Sequence, residues 1–120
     1  TKAISLDQLI QLGATYRFRL SANPTVTRDG KRFGLTSEDL QLAWLQRQGL
    51  RWGFEVKTAL VIASDVLTGR KGATQISLQR VCFEGVLAVQ DSGALAKALL
   101  SGIGPGKAFG LGLISVARVG

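Results

Sequence analysis

Lys107 is the one charged residue in a glycine-rich run, Gly102-Ile103-Gly104-Pro105-Gly106-Lys107-Ala108-Phe109-Gly110-Leu111-Gly112. Such a run leaves backbone N–H groups uncovered and lets another molecule approach closely. One ammonium at its centre suits a phosphate or another anion. Two phosphate loops are excluded by residue type. The nucleotide loop G-x-x-x-x-G-K-[ST] needs an opening glycine and a hydroxyl after the lysine, but Ser101 and Ala108 hold those places. The dinucleotide fingerprint needs G-x-G-x-x-G between a strand and a helix. Here Phe109 replaces the third glycine, and the flanking order is helix (91 to 101) then strand (111 to 119). No nucleotide cofactor is expected. The alternative role for the run is a helix C-cap followed by an αβ turn.

The other candidate cations fall into three groups. Arg17 and Arg19 alternate on one face of a strand; Arg28, Lys31 and Arg32 crowd a polar loop around Asp29; Arg70 and Lys71 sit between Gly69 and Gly72 at a turn. Each could hold RNA phosphates or be solvated surface; Arg70, Lys71 and Lys107 rank first among the expected RNA contacts, and for Arg17 and Arg19 the two readings weigh equally. Net charge is +7, from 15 Lys and Arg against 8 Asp and Glu. That balance favours polyanions, nucleic acid first and an anionic membrane second. No basic amphipathic helix with a large apolar face stands out, so no membrane partner is expected. With no His and a single Cys, Cys82, no zinc site or other metal is expected. Cys82 also excludes an internal disulfide and fits a reducing cytoplasm.

The elements that must position these groups are legible from periodicity. The 120 residues, 46% hydrophobic, suit one domain with one core. No apolar run approaches the roughly 20 residues a membrane span needs, and no secretory signal is visible. The chain opens on Thr1-Lys2 without Met, which raises the expectation of a fragment. Ser5-Leu6-Asp7-Gln8 resembles a capping box with Gly13 as a stop; residues 1–13 are expected to form a linker or short helix. Residues 14–120 are expected to form the domain. Thr15 to Asn23 alternates strictly, with Tyr16, Phe18, Leu20 and Ala22 inward. Asn23-Pro24 ends that strand, and a polar loop is expected to Leu35. A helix capped by Thr36 or Ser37 is expected to stop at Gly49, with Leu40, Ala43 and Trp44 on its apolar face.

Leu50 to Val89 reads as extended, a long β-hairpin turning at Thr68-Gly69-Arg70-Lys71-Gly72. Its apolar phase changes near Arg80, which predicts a β-bulge at Gln79-Arg80 and a bent ribbon. A thin basic ribbon suits an RNA duplex better than a helix does, because the A-form major groove is deep and narrow. Asp91 and Ser92 cap a last helix with Leu95, Ala98 and Leu99 buried. The final strand, with Leu111, Leu113, Ile114 and Val116, is apolar on both faces and so is expected to be covered on both. Strand, helix, strand, strand, helix, strand is the ferredoxin-like βαββαβ plan, an α+β two-layer sandwich. RNA-recognition domains share it, but their aromatic surface motif is missing: Val81-Cys82-Phe83-Glu84-Gly85 is not that sequence.

Four blocks carry a family resemblance: Tyr16 to Pro24 (YRFRLSANP), Ala43 to Arg47 (AWLQR), Val81 to Leu87 (VCFEGVL) and Gly102 to Ser115 (GIGPGKAFGLGLIS). In this order they resemble the CasE-type endoribonucleases, which process CRISPR RNA in the type I-E system and remain in the Cascade complex. The resemblance implies two tandem ferredoxin-like domains, of which this chain matches the second. It implies metal-free cleavage at the base of a repeat stem-loop, leaving a 2′,3′-cyclic phosphate, with the catalytic histidine in the first domain. Arg70 and Lys71 would then lie on the hairpin against the stem, with Lys107 near the RNA backbone.

Such cleavage needs a 2′-OH deprotonated, a 5′-oxygen protonated and phosphorane charge stabilised. Histidine usually moves the protons near neutral pH. Lys107 could stabilise charge; Tyr16 reads as core, and Asp65 and Glu84 read as surface or bulge residues, with a catalytic carboxylate pair as the lesser alternative. The expectation is an RNA-gripping half of an enzyme, with little cleavage alone and no cofactor. Its expected partners are the CRISPR repeat stem-loop, the N-terminal domain of the same protein and other Cascade subunits. Two rivals stay open: a protein-interaction module, and a self-sufficient enzyme using Lys107 and Tyr16.

Overall fold

The computed structural model describes residues 12–105 and 111–118, and describes Lys71 through its backbone alone. The capping box at Ser5 to Gln8 and the loop residues Gly106, Lys107 and Gly110 lie outside these residues.

Strand β1 (Thr15–Ala22) buries every second side chain. Tyr16, Phe18, Leu20 and Ala22 point to the core, while Arg17 and Arg19 stay exposed. The next segment departs from the expected loop. β2 (Thr25–Arg28) and β3 (Lys31–Gly34) pair as a small antiparallel hairpin. Its two-residue turn, Asp29-Gly30, has φ of 50° and 74°. Two consecutive positive φ values give the twist that matches a tight hairpin, and Asp-Gly tolerates them.

Helix α1 (Glu38–Trp52) begins at Ser37, whose hydroxyl accepts from the Leu40 N–H. Glu38 and Asp39 occupy its first turn, where the helix dipole favours carboxylates. It continues past the expected stop. Gly49 lies inside the helix, and Gly53 is the left-handed C-cap with φ 78°. A Cβ at Gly49 would meet the Phe54 carbonyl oxygen at 2.5 Å, so that glycine permits close packing and does not end the helix. The buried stripe is Gln41, Trp44, Leu45 and Gly49; Leu40, expected inside, is half exposed.

β4 (Phe54–Lys71) and β5 (Thr74–Val89) form the long hairpin, closed by Lys71↔Thr74 around Gly72 at φ 62°. The expected bulge at Gln79-Arg80 is not there. β5 pairs regularly through Asp65↔Arg80 and Val66↔Gln79, and the irregularities lie on β4, between Val56 and Thr58 and between Val61 and Ala63. The apolar phase change has another cause. From Asp65↔Arg80 outward the pair has no third strand beside it, so apolar side chains there no longer mark one core face.

Helix α2 (Ser92–Ser101) is capped by Asp91, whose carboxylate accepts from the Ala94 N–H at 3.1 Å. β6 (Leu113–Arg118) closes the sheet in the order β4-β5-β1-β6, all neighbours antiparallel. β1 and β4 are therefore parallel with β5 between them, the split β-α-β arrangement of the ferredoxin-like fold. The helices cover one face, where Trp44 stacks on Phe83 at 6.2 Å and Phe18 meets Phe54 at 6.5 Å. The other face is bare among the described residues. Leu113 is 63% exposed on it, so β6 is not covered on both sides as its composition suggested. No described helix is long and apolar enough to cross a membrane.

Candidate nucleic-acid interface

One end of the sheet gathers three of the features that sequence singled out. β1 ends at Ala22 opposite Val81. Beyond that line β4 and β5 continue as a two-stranded arm of seven pairs, Asp65↔Arg80 to Lys71↔Thr74. At about 3.3 Å per residue the arm projects roughly 23 Å. Arg70 pairs with Gln75, one step from the closing pair that contains Lys71.

The root of the arm is fixed by polar side chains. Asp65 and Arg80 form a two-pronged ion pair, with Arg80 Nε and Nη2 donating to the carboxylate at 2.9 and 2.6 Å. That pairing holds the Asp65 carboxyl below its ordinary value of 3.8, chiefly through the hydrogen bonds from Arg80. On the helix side, the buried Gln41 donates Nε2 to Leu35 O at 2.8 Å and to Ser64 Oγ at 3.3 Å. Gln79 Nε2 donates to the same Ser64 hydroxyl at 2.9 Å. A single hydroxyl thus links α1, β4 and β5 where the arm leaves the sheet.

The β2–β3 hairpin starts from the same place. It leaves β1 through Asn23-Pro24, and its far end returns through the Leu35 N–H bonded to Pro24 O at 2.9 Å. A Cβ on Gly34 would lie 2.9 Å from Gln79 Cβ, so the hairpin abuts the arm root. It carries Arg28, Lys31 and Arg32, all exposed. Arg28, Asp29, Lys31 and Phe33 line a shallow cavity of about 370 Å³.

The mouth of the glycine-rich run is at this end too. The Ile103 N–H donates to Gly112 O at 2.8 Å, and the Gly112 N–H donates to Ser21 O at 2.6 Å. Gly102, Gly104 and Gly112 have φ of 83°, 78° and 86°. A Cβ on Gly104 would come 2.9 Å from the Trp44 ring, and one on Gly112 would hit the Ile103 backbone at 2.5 Å. Gly104 and Gly112 answer to packing and to positive φ, and Gly102 to positive φ; Gly106, Lys107 and Gly110 lie outside the described residues.

Arg17 and Arg19 are not part of this grouping. They sit mid-sheet on the bare face, where Arg19 Nε pairs with Glu84 at 3.3 Å with both groups half exposed or more. Such a pair contributes about 0–1 kcal/mol. With Thr58, Leu60, Val86 and Ser115 they line a broad concavity of about 770 Å³. Its floor is shaped by Gly85, whose missing side chain admits the Thr58 carbonyl of the bulged strand. Neither carboxylate weighed for catalysis faces the other: Asp65 is engaged by Arg80 and Glu84 by Arg19. Tyr16 is buried in the core. No cluster of three His, Cys, Asp or Glu suits a metal among the described residues. The hairpin itself was missed from sequence, although Asp29-Gly30 between Thr25-Val26-Thr27 and Phe33 is a turn signal of the right kind.

Known proteins are similar to this chain in both sequence and shape. CRISPR-associated endoribonuclease Cse3 of Thermus thermophilus is 36% identical over 119 residues, 88% of this chain and 56% of that protein. CRISPR system Cascade subunit CasE of Escherichia coli (strain K12) is 36% identical over 129 residues, 97% of this chain and 64% of that one. The chain thus spans 56% and 64% of the length of these two relatives. Cse3 bound to a 19 nt RNA superposes with a TM-score of 0.86 at 32% identity, over 98% of this chain and 61% of that one. Cas6e of Escherichia coli K-12 gives 0.76 at 34% identity, over 92% and 63%. A family model described as CRISPR associated protein matches residues 1–118, and the chain belongs to that family.

Proposed function

We propose that this chain is the RNA-gripping, C-terminal half of a CRISPR RNA endoribonuclease. It holds the repeat stem-loop for cleavage at the stem base and stays with that RNA in a Cascade-type complex. The observation that carries the reading is the convergence of the basic arm, the basic β2–β3 hairpin and the mouth of the glycine-rich run on one end of the sheet. Arg70 and Lys71 ride on the arm, Arg28, Lys31 and Arg32 on the hairpin, and Lys107 is the candidate from the loop. RNA-bound Cse3 with nearly the same fold supports it. Proton transfer comes from residues outside this sequence, since the chain has no His and Asp65 and Glu84 are committed to arginines. This chain alone then binds without cutting, and by the family resemblance the full reaction needs no metal.

The test is equilibrium binding of a stem-loop RNA to this chain across a salt series. Arg70→Gln with Lys71→Gln should flatten the slope of log affinity against log salt by about one unit per lost phosphate contact. An unchanged slope would remove the arm from the interface.

The bare face supports a second, compatible contact. Leu60 and Leu113 are 68% and 63% exposed there, beside the concavity with Arg17, Arg19 and Glu84. Mixed apolar and paired charged surface suits a protein neighbour: the N-terminal domain of the same protein, or another Cascade subunit. Association with the upstream half of the parent protein should weaken when Leu60→Glu and Leu113→Glu are introduced on this face, read by calorimetry; unchanged association would exclude it.

A further inference from the structure

We propose that the face of the β2–β3 hairpin that carries Phe33, Arg28 and Lys31 binds a short unpaired stretch of RNA adjoining the stem, with Phe33 as a stacking platform for one base. The inference rests on the RNA-binding reading above and adds a second, single-stranded subsite to it.

Phe33 is the reason to look here. Tyr16, Phe18, Trp44, Phe54 and Phe83 are buried, whereas Phe33 is 48% exposed. It is the one aromatic among the large exposed hydrophobic side chains of the described residues. Nothing in the core needs it there: the hairpin's contribution to the core is Val26. Val26↔Phe33 and Arg28↔Lys31 are opposed pairs two residues apart, so the pleat puts all four side chains on one face. The cavity lined by Arg28, Asp29, Lys31 and Phe33 is about 370 Å³, the size class of small-ligand sites.

The chemistry suits a nucleotide and not a bare phosphate or an apolar peptide. An exposed aromatic face flanked by cations is how single strands are held without sequence reading: the base stacks and the backbone meets the charges. Phe33 offers the ring, while Arg28 and Lys31 offer charge on either side of the turn. Asp29 offers a carboxylate that can accept from an exocyclic amino group, so it fits adenine, cytosine or guanine and repels a naked anion. The Asp29-Gly30 turn, with both φ positive, holds the two cations at a fixed spacing. Position agrees as well. Gly34 abuts the arm root at Gln79, so a duplex lying along the arm would deliver its unpaired continuation to this hairpin.

The experiment compares a blunt stem-loop with the same stem-loop carrying four unpaired adenosines at its 5′ or its 3′ end. Each is bound to this chain and to its Phe33→Ala and Phe33→Trp variants. In the unaltered chain one extension should tighten binding on the order of tenfold. Phe33→Ala should erase that gain and leave the blunt stem-loop unchanged, and Phe33→Trp should retain it. Two results would overturn the subsite while leaving RNA binding intact: equal affinity for blunt and extended RNA, or a gain that survives Phe33→Ala, as expected if a protein partner occupies Phe33. Failure to bind any stem-loop would overturn both readings. Phe33 is half exposed, and circular dichroism with a melting curve identifies any variant that has lost its fold.

Discussion

Gly34 and Gln79 meet so closely that a Cβ on the glycine would lie 2.9 Å from Gln79 Cβ. This contact sets the basic β2–β3 hairpin against the root of the basic arm, and the neighbouring atom is close to the backbone, so it cannot swing aside. Gly34 has no positive φ, so Gly34→Val is compatible with its strand backbone and acts by pushing the hairpin away. Stability should fall by about 1–3 kcal/mol, read by urea denaturation. RNA binding should weaken more than stability does. The salt slope should drop by about one unit for each of Arg28, Lys31 and Arg32 that loses its phosphate. A full slope in a variant with an intact fold would mean the two basic elements act separately.

Gly49→Ala pits local preference against packing. In an exposed helix interior the change should stabilise by roughly 0.5–1 kcal/mol. Here the new methyl would meet the Phe54 carbonyl at 2.5 Å and its ring at 3.1 Å. Overpacking of that kind costs about 1–3 kcal/mol, so the variant should unfold at lower urea with an unchanged m-value. A stabilised Gly49→Ala protein would show that α1 and β4 can separate freely.

Gly49 and Gly53 also show what sequence could and could not reveal. Each fits a helix stop, and only the proximity of Phe54 decides between them. β1 was legible because one face is buried and the other bare, which forces alternation. The caps at Ser37 and Asp91 were legible because orphan helix N–H groups demand particular side chains. The β2–β3 hairpin was not, because its exposed strands impose no alternation and only Asp29-Gly30 marks it. The phase change at Arg80 was visible but misassigned: it records the arm leaving the helix layer, not a bulge. In the site, sequence named the basic groups; what it lacked was the grouping. Arg17 and Arg19 stood below Arg70 among the candidates but within the same RNA-binding set, and register puts them mid-sheet on the bare face.

Asp65 should make the arm root sensitive to acid. Its carboxyl is held below 3.8 by the hydrogen bonds and charge of Arg80. A depressed folded value means the unfolded chain takes up the proton first. The contribution of the pair is therefore complete above about 3.8 and is lost as pH falls through the lower folded value. Asp65→Asn should remove that acid-dependent component and leave the rest of the profile. Urea midpoints for both proteins at neutral pH and below the ordinary carboxylate range check it, as does the carboxyl chemical shift of Asp65. Parallel acid limbs in the two proteins would show that the ion pair does not report on folding.

Arg17 and Arg19 test the division of labour between the two surfaces. Both lie in the middle of the bare face, and Arg19 is already paired with Glu84 at 3.3 Å, away from the end where the arm and the hairpin emerge. A duplex gripped by that end has no reason to reach them. Arg17→Gln with Arg19→Gln should therefore leave stem-loop affinity within about twofold and the salt slope within about half a unit, against about one unit per lost contact for Arg70 and Lys71. The same double variant should weaken association with the upstream half of the parent protein, because its two charges line the concavity proposed to face that partner. Calorimetry of the two halves and RNA binding by the isolated chain separate the effects. A slope that falls by about two units in the RNA assay would move these arginines into the RNA interface and require the ligand to wrap from the arm onto the open sheet.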